Sequence, residues 1–298
     1  MNGGQEANGM ELFHRNMNFE RIAPNAAPRT TGLSEREQVN LDEELISAAY
    51  HGDIKQVKEL LETGASAEYQ SVRGQTTALC MAASKNHTRI MQLLLNYGAD
   101  INAMNINGFD AVYFAAVSFQ PDALRLLLEK NSPLPKQYES YGHTVSLLME
   151  ILSIIQPHHG LEMNNDKVSV IRILLLAGFD VNGCVDKHSY QHSSDGRPDV
   201  VLSPLIQIVK SDFDCISFQF KFELCGMLRA FKVDINEQDP YGNTALHHAV
   251  LSNFYEMVQY LISAGGANVD ILNCDGKKAQ DLTNRNSDID LVFGRWRV

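Results

Sequence analysis

Apolar residues along this chain recur in pairs of short helical stripes. The clearest pair lies between Asp239 and Asp270. Leu246, Ala249 and Val250 give one helix a narrow face built partly of small residues, which lets a second helix approach closely. Met257, Val258, Leu261 and Ile262 stand at i, i+1, i+4 and i+5, one stripe at helical period, and predict that second helix. Gly242 falls where a tight turn needs positive φ, Thr244 where a helix N-cap belongs, and Gly265-Gly266 where the second helix stops.

The stop returns along the chain. It reads Gly64-Ala65-Ser66-Ala67-Glu68, Gly98-Ala99-Asp100-Ile101-Asn102, Gly178-Phe179-Asp180-Val181-Asn182, Lys232-Val233-Asp234-Ile235-Asn236 and Gly266-Ala267-Asn268-Val269-Asp270, with Asn131-Ser132-Pro133 a weaker copy. These exits begin at 64, 98, 131, 178, 232 and 266, so two units are swollen. Turn, capped helix, stripe and exit together resemble the ankyrin repeat, whose period is about 33 residues and whose first helix opens T-P-L-H-x-A. Thr244-Ala245-Leu246-His247-His248-Ala249 departs from that opening only at Ala245. The resemblance implies an all-α solenoid of about seven helix-turn-helix units with projecting β-turn fingers, two of the units enlarged.

On this reading, residues 1–33 form an N-terminal arm, 34–292 the repeat domain and 293–298 a tail, with units near 41–69, 70–103, 104–136, 137–183, 184–237, 238–271 and 272–292. Ser34 and Glu37 spell a capping box that opens an atypical first unit. Asp110 takes the Thr slot of the third unit, where Asp caps equally well. The fourth unit carries an insertion from Ser153 to Asp166 between its helices. The fifth has an enlarged turn, Lys187 to Pro198, and a second insertion holding Phe213, Phe218, Phe220 and Phe222. So many aromatics in a loop predict either a satellite core or a presented patch.

Composition then narrows the function. A hydrophobic fraction of 44% with 20% charged residues is that of an ordered chain. The net charge of -11 argues against a nucleic-acid partner, which needs a basic stripe, and favours basic partner surfaces. Five cysteines without C-x-x-C spacing fit reduced thiols, hence a cytoplasmic or nuclear setting as the expectation. No apolar run approaches a membrane span, and no basic-then-apolar start marks a secretory signal.

Catalytic motifs are not evident: the sequence holds no G-x-G-x-x-G, Walker, G-x-S-x-G or H-E-x-x-H pattern. His188 and His192 in the enlarged turn lack a third ligand, so neither a metal nor a cofactor is expected. The resemblance implies that His247 makes a structural bond between turn and helix. It also implies a concave palm that binds protein. On this sequence that palm reads Arg73, Gln75 and Met81 in the second unit, Ile106, Phe109, Phe114 and Val117 in the third, and Tyr241, Asn243, His248 and Leu251 in the sixth. The expected function is therefore a non-catalytic scaffold or adaptor, a monomer or a subunit of a hetero-complex, for a partner with a basic or apolar segment. The alternatives are an inhibitor or regulatory subunit masking its target, and a ligand or metal sensor built from the two insertions. Asn102, Asn182 and Asn236 occupy the slot that the family uses to satisfy turn backbone groups. With Leu94, Leu174 and Leu228 eight residues upstream, the same three fit the pattern of asparaginyl hydroxylation in such repeats.

Overall fold

The computed structural model describes residues 32–71, 76–105, 107–130, 138–140, 143–154, 165–179, 181–182, 203–210, 218–283 and 288–295. Six helix pairs follow one another along them: α1 Glu35–His51 with α2 Ile54–Thr63, α3 Ala78–Ser84 with α4 Thr88–Asn96, and α5 Ala111–Val117 with α6 Pro121–Glu129. Then come α7 Leu147–Ile154 with α8 Asn165–Leu176, α9 Pro204–Lys210 with α10 Phe218–Ala230, and α11 Ala245–Leu251 with α12 Tyr255–Tyr260. A 3-10 turn, Ala279–Leu282, and a last helix, α13 Asp288–Arg295, complete the order.

The first helices pack in one continuous row, α1 on α3, α3 on α5, α5 on α7, α7 on α9 and α9 on α11. Alanines make that row close: Ala48, Ala49, Ala82, Ala83, Ala115, Ala116 and Ala249 are all buried. Second helices lie behind, α2 on α4, α4 on α6 and α6 on α8, and their leucine stripes fill the layer between the rows. Each unit thus buries its apolar stripe only against its neighbours, so stability is the sum of unit and interface contributions.

The fingers follow one rule. In the turns opened by Asn105, Asp239 and Asn273, a side-chain oxygen accepts two backbone N–H groups, from positions two and four residues on. A glycine at positive φ closes each turn: Gly108, Gly242 and Gly276. Gly242 is fixed twice over, because a Cβ there would stand 2.7 Å from the backbone nitrogen of Cys274 in the next finger. Thr77, Asp110, Ser203 and Thr244 then cap the helices that follow, each oxygen accepting from the third residue on.

The exits follow another. The N–H one residue past the stop bonds the carbonyl five residues back in Ala65 to Leu60, Ala99 to Leu94, Phe179 to Leu174 and Val233 to Leu228. The sixth unit has one residue more, Gly265, and Ala267 reaches six back to Leu261. The extra residue is absorbed as a π-turn over Leu261–Gly265.

Several sequence expectations are refined. The finger of the fourth unit is a small antiparallel β-hairpin, β1 Tyr138–Ser140 with β2 His143–Val145, a local exception to an all-helical reading. The insertion of that unit is partly helical, since α7 reaches Ile154 and α8 begins at Asn165; 155–164 lie outside the described residues. The second insertion of the fifth unit is not a loop of presented aromatics. Phe218, Phe220 and Phe222 begin helix α10, and Phe222 packs against Phe254 and Tyr260, ring centroids 6.3 Å and 5.4 Å away. Helical spacing from Phe218 through Phe222 and Cys225 explains why. Phe213 and the turn with His188 and His192 lie outside the described residues. The tail expected from 293 is helical to Arg295, with Phe293 only 2% exposed. Among the described residues, no helix is long and apolar enough to cross a membrane.

Candidate protein-binding surface

Register sets which first-helix residues face outward. Counting four residues from each N-cap (Thr77, Asp110, Ser146, Ser203 and Thr244) gives Met81, Phe114, Glu150, Gln207 and His248, one row along the array. Three residues further, Ser84, Val117, Lys210 and Leu251 form a second row. Between these positions the helices turn small or aliphatic residues inward, and those are buried.

The third unit is the apolar centre of these rows. Phe109, just before the cap, stacks on Tyr113 with centroids 3.7 Å apart and planes 7° apart. Phe114 meets the edge of Tyr113 at 6.0 Å and 88°. All three rings are half-buried, as are Met81 and Val117, so each keeps one side toward solvent while resting on the core. Tyr113 was not among the residues expected here; its offset of four from Phe109 was the available signal.

The sixth unit divides differently. Tyr241 and Leu251 are exposed, 43% and 56%. Asn243 spends its side chain on the next finger, its Oδ1 accepting from Asn273 Nδ2 at 3.0 Å. His248 is only 8% exposed, with Nε2 2.8 Å from Asp239 Oδ2, so it braces the finger instead of facing a partner. Helix α11 packs directly on α9. Arg73, Gln75 and Ile106 lie outside the described residues.

His247 bridges two fingers. Its Nδ1 lies 2.8 Å from Thr244 Oγ1 and its Nε2 3.2 Å from the carbonyl of Lys277. Burial pushes both imidazoles below the ordinary histidine range, outweighing the upward pull of the Lys277 carbonyl on one and of Asp239 on the other. Burial also pushes the thiols of Cys80 and Cys225 up, to about 11 and about 12, which keeps them protonated. Cys274 is exposed.

The three asparagines separate. Asn182 Oδ1 accepts from the N–H of Asp234, and Asn236 Oδ1 from that of Asn268, each at 2.8 Å, joining one exit to the next. In the first described unit, buried Asp42 of α1 takes that part, accepting from Ser66 N–H at 2.7 Å. Asn102 is exposed, and the exit that follows it, 131–133, lies outside the described residues.

Comparison with known proteins places this architecture. The family described as "Ankyrin repeats (3 copies)" matches residues 45–137, and "Ankyrin repeats (many copies)" matches 213–262. The chain is 31% identical over 228 residues to "Probable E3 ubiquitin-protein ligase XBOS33" of Oryza sativa subsp. japonica, covering 76% of this chain and 39% of that protein. It is 28% identical over 220 residues to "Transient receptor potential cation channel subfamily A member 1 homolog" of Caenorhabditis elegans, covering 74% of this chain and 15% of that one. The chain thus spans well under half the length of these relatives. The ankyrin repeat domain of Bcl-3, "a unique member of the IkappaB protein family", superposes with a TM-score of 0.63 at 21% identity, over 84% of this chain and 97% of that domain. Family match, shared fold and the repeated finger, cap and exit geometry agree: the chain belongs to the ankyrin-repeat family, whose repeats are general protein-interaction modules.

Proposed function

We propose that the protein is a non-catalytic scaffold or adaptor, working in the cytoplasm or nucleus, that binds a partner polypeptide across the palm rows of units two to four. One observation carries this reading: the ring cluster of Phe109, Tyr113 and Phe114, half-buried with Met81 and Val117 on the row of first helices. Rings already held by one another lose little freedom on binding, and aromatic anchors of this kind dominate interface energies. The stacked array supplies the rigid frame. The rice relative named as a probable E3 ubiquitin-protein ligase supports an adaptor, a binding module that brings a target to an activity.

The test compares affinity capture by the full chain with capture by a Phe109→Ala/Phe114→Ala variant whose helicity and melting are verified. Partners retained by the wild type and lost by the variant support the palm. Identical capture by both would move binding to another surface.

A further inference from the structure

The palm rows begin on the first unit. Helices α1, α3 and α5 pack in sequence, and their buried alanine pairs, Ala48-Ala49, Ala82-Ala83 and Ala115-Ala116, set them level. Tyr50 therefore occupies on α1 the slot that Ser84 and Val117 hold on the next two helices. It is 41% exposed, with the Lys85 ammonium 4.5 Å from its ring centroid. An apolar track thus runs from Tyr50 through Met81 to Phe114 and Val117.

The stretch before α1 carries matching chemistry. Met10, Phe13 and Met17, which lie outside the described residues, stand at i, i+3 and i+7, one face at helical period, while Glu11, Arg15 and Asn18 fall on the other. Between residues 12 and 31 the Lys, Arg, Asp and Glu residues are Arg15, Arg21 and Arg29 against Glu20, a basic stretch on a chain of net charge -11. Reach is ample. Met17 lies fifteen residues before Gly32, where the described chain begins, and that length extends up to about 50 Å. The level of Phe114 on α1 is Ser47, about 18 Å along the helix from Glu35, and α5 lies two helix spacings, about 20 Å, to the side.

Resting on the palm reading above, we infer that residues 10–21 of this chain are the palm's own occupant, seating Met10, Phe13 and Met17 along the track from Tyr50 to Phe114, so that a partner must displace them to bind. An attached segment acts at an effective concentration on the order of 1 mM. A segment whose free peptide had a Kd of about 0.1 mM would then fill its own palm about nine-tenths of the time, and would weaken a competitor about tenfold.

The test titrates a fluorescein-labelled peptide of residues 8–22 into the full wild-type chain and into a full-length Phe13→Ser/Met17→Ser variant, read by fluorescence polarisation. The peptide is expected to bind the variant, and to bind the wild type about tenfold more weakly because the attached copy already fills the site. In the variant background, Phe114→Ala and Tyr50→Ala should each weaken the peptide about fivefold. Tyr50 is exposed, so its substitution keeps the test open should Phe114→Ala fail to fold. No binding to the variant would overturn the inference. Equal affinity for variant and wild type would also overturn it, making the contact one between copies. Binding indifferent to both Phe114→Ala and Tyr50→Ala would overturn it by placing the peptide off the palm. The palm reading is judged separately, by whether partner capture is lost in Phe109→Ala/Phe114→Ala. With that loss established, capture should rise in Phe13→Ser/Met17→Ser, and unchanged capture there would overturn the occupant while leaving the palm standing.

Discussion

Single residues carry conformational choices that can be checked one at a time. The exit slot places Gly64, Gly98, Gly178 and Gly266 at positive φ, yet the fifth unit puts Lys232 there at 63°. Left-handed backbone costs a side-chain-bearing residue about 1 kcal/mol relative to glycine. Lys232 is exposed, so Lys232→Gly is expected to stabilise the chain by about that much in urea unfolding, and a loss of stability would contradict the assignment. His247 and His248 give a pH dependence whose sign is fixed. Their imidazoles are held below the ordinary 6.5, so folding favours the neutral ring. Their contribution is therefore full above that value and is lost as pH falls through and below it. The denaturation midpoint should drop between pH 7.5 and 5.5, and His248→Gln should flatten that drop. Thiol labelling offers a further check: among the described cysteines Cys274 should alkylate in the native state, while Cys80 and Cys225 react only on unfolding.

Elements were legible in the sequence where one unit repeats another, because turn glycine, cap hydroxyl and leucine stripe each have a local cause. Thr244, Gly242 and the Met257 to Ile262 stripe follow from sequence alone. What escaped was set by neighbours. The Phe218 to Phe222 aromatics read as part of an insertion, but they begin helix α10, and the contact of Phe222 with Phe254 and Tyr260 belongs to the next unit. His248 looked outward by register, and only the position of Asp239 turns it into a brace. Two element-scale outcomes follow. Deleting Gly265 removes the residue that forces the π-turn, so the variant is expected to fold with a melting temperature within a few degrees of wild type; collapse would mean that the π-turn is required. The exit ladder makes Asn236→Ala cost about 1 kcal/mol, the worth of one hydrogen bond. Incubation with an asparaginyl hydroxylase should modify the exposed Asn102 before the half-buried Asn182 or Asn236, read by mass spectrometry. Equal modification of all three would show that exposure does not gate access.

At the scale of the whole molecule each unit depends on its neighbours. Asp42 supplies in the first described unit the acceptor that an asparagine supplies further along, and α13 packs on the sixth unit, with Ile289, Val292 and Phe293 buried. Phe293→Ala should cost about 3 kcal/mol and loosen α12 before the middle of the array, because units communicate only through their neighbours. The palm was legible as a face, since register alone places Met81, Phe114 and Leu251. Its contents were less so: Tyr113 joins it through an offset of four from Phe109 within the third unit, a spacing that the other repeats do not share. Hydrogen exchange on the full chain, free and saturated with the tightest-binding partner that the wild type captures, tests the central claim most directly. Added protection concentrated on 109–117 and 147–152, with the outer helices α4 and α6 unchanged, is the expected result. Protection confined to those outer helices, with α5 and α7 unaffected, would contradict it.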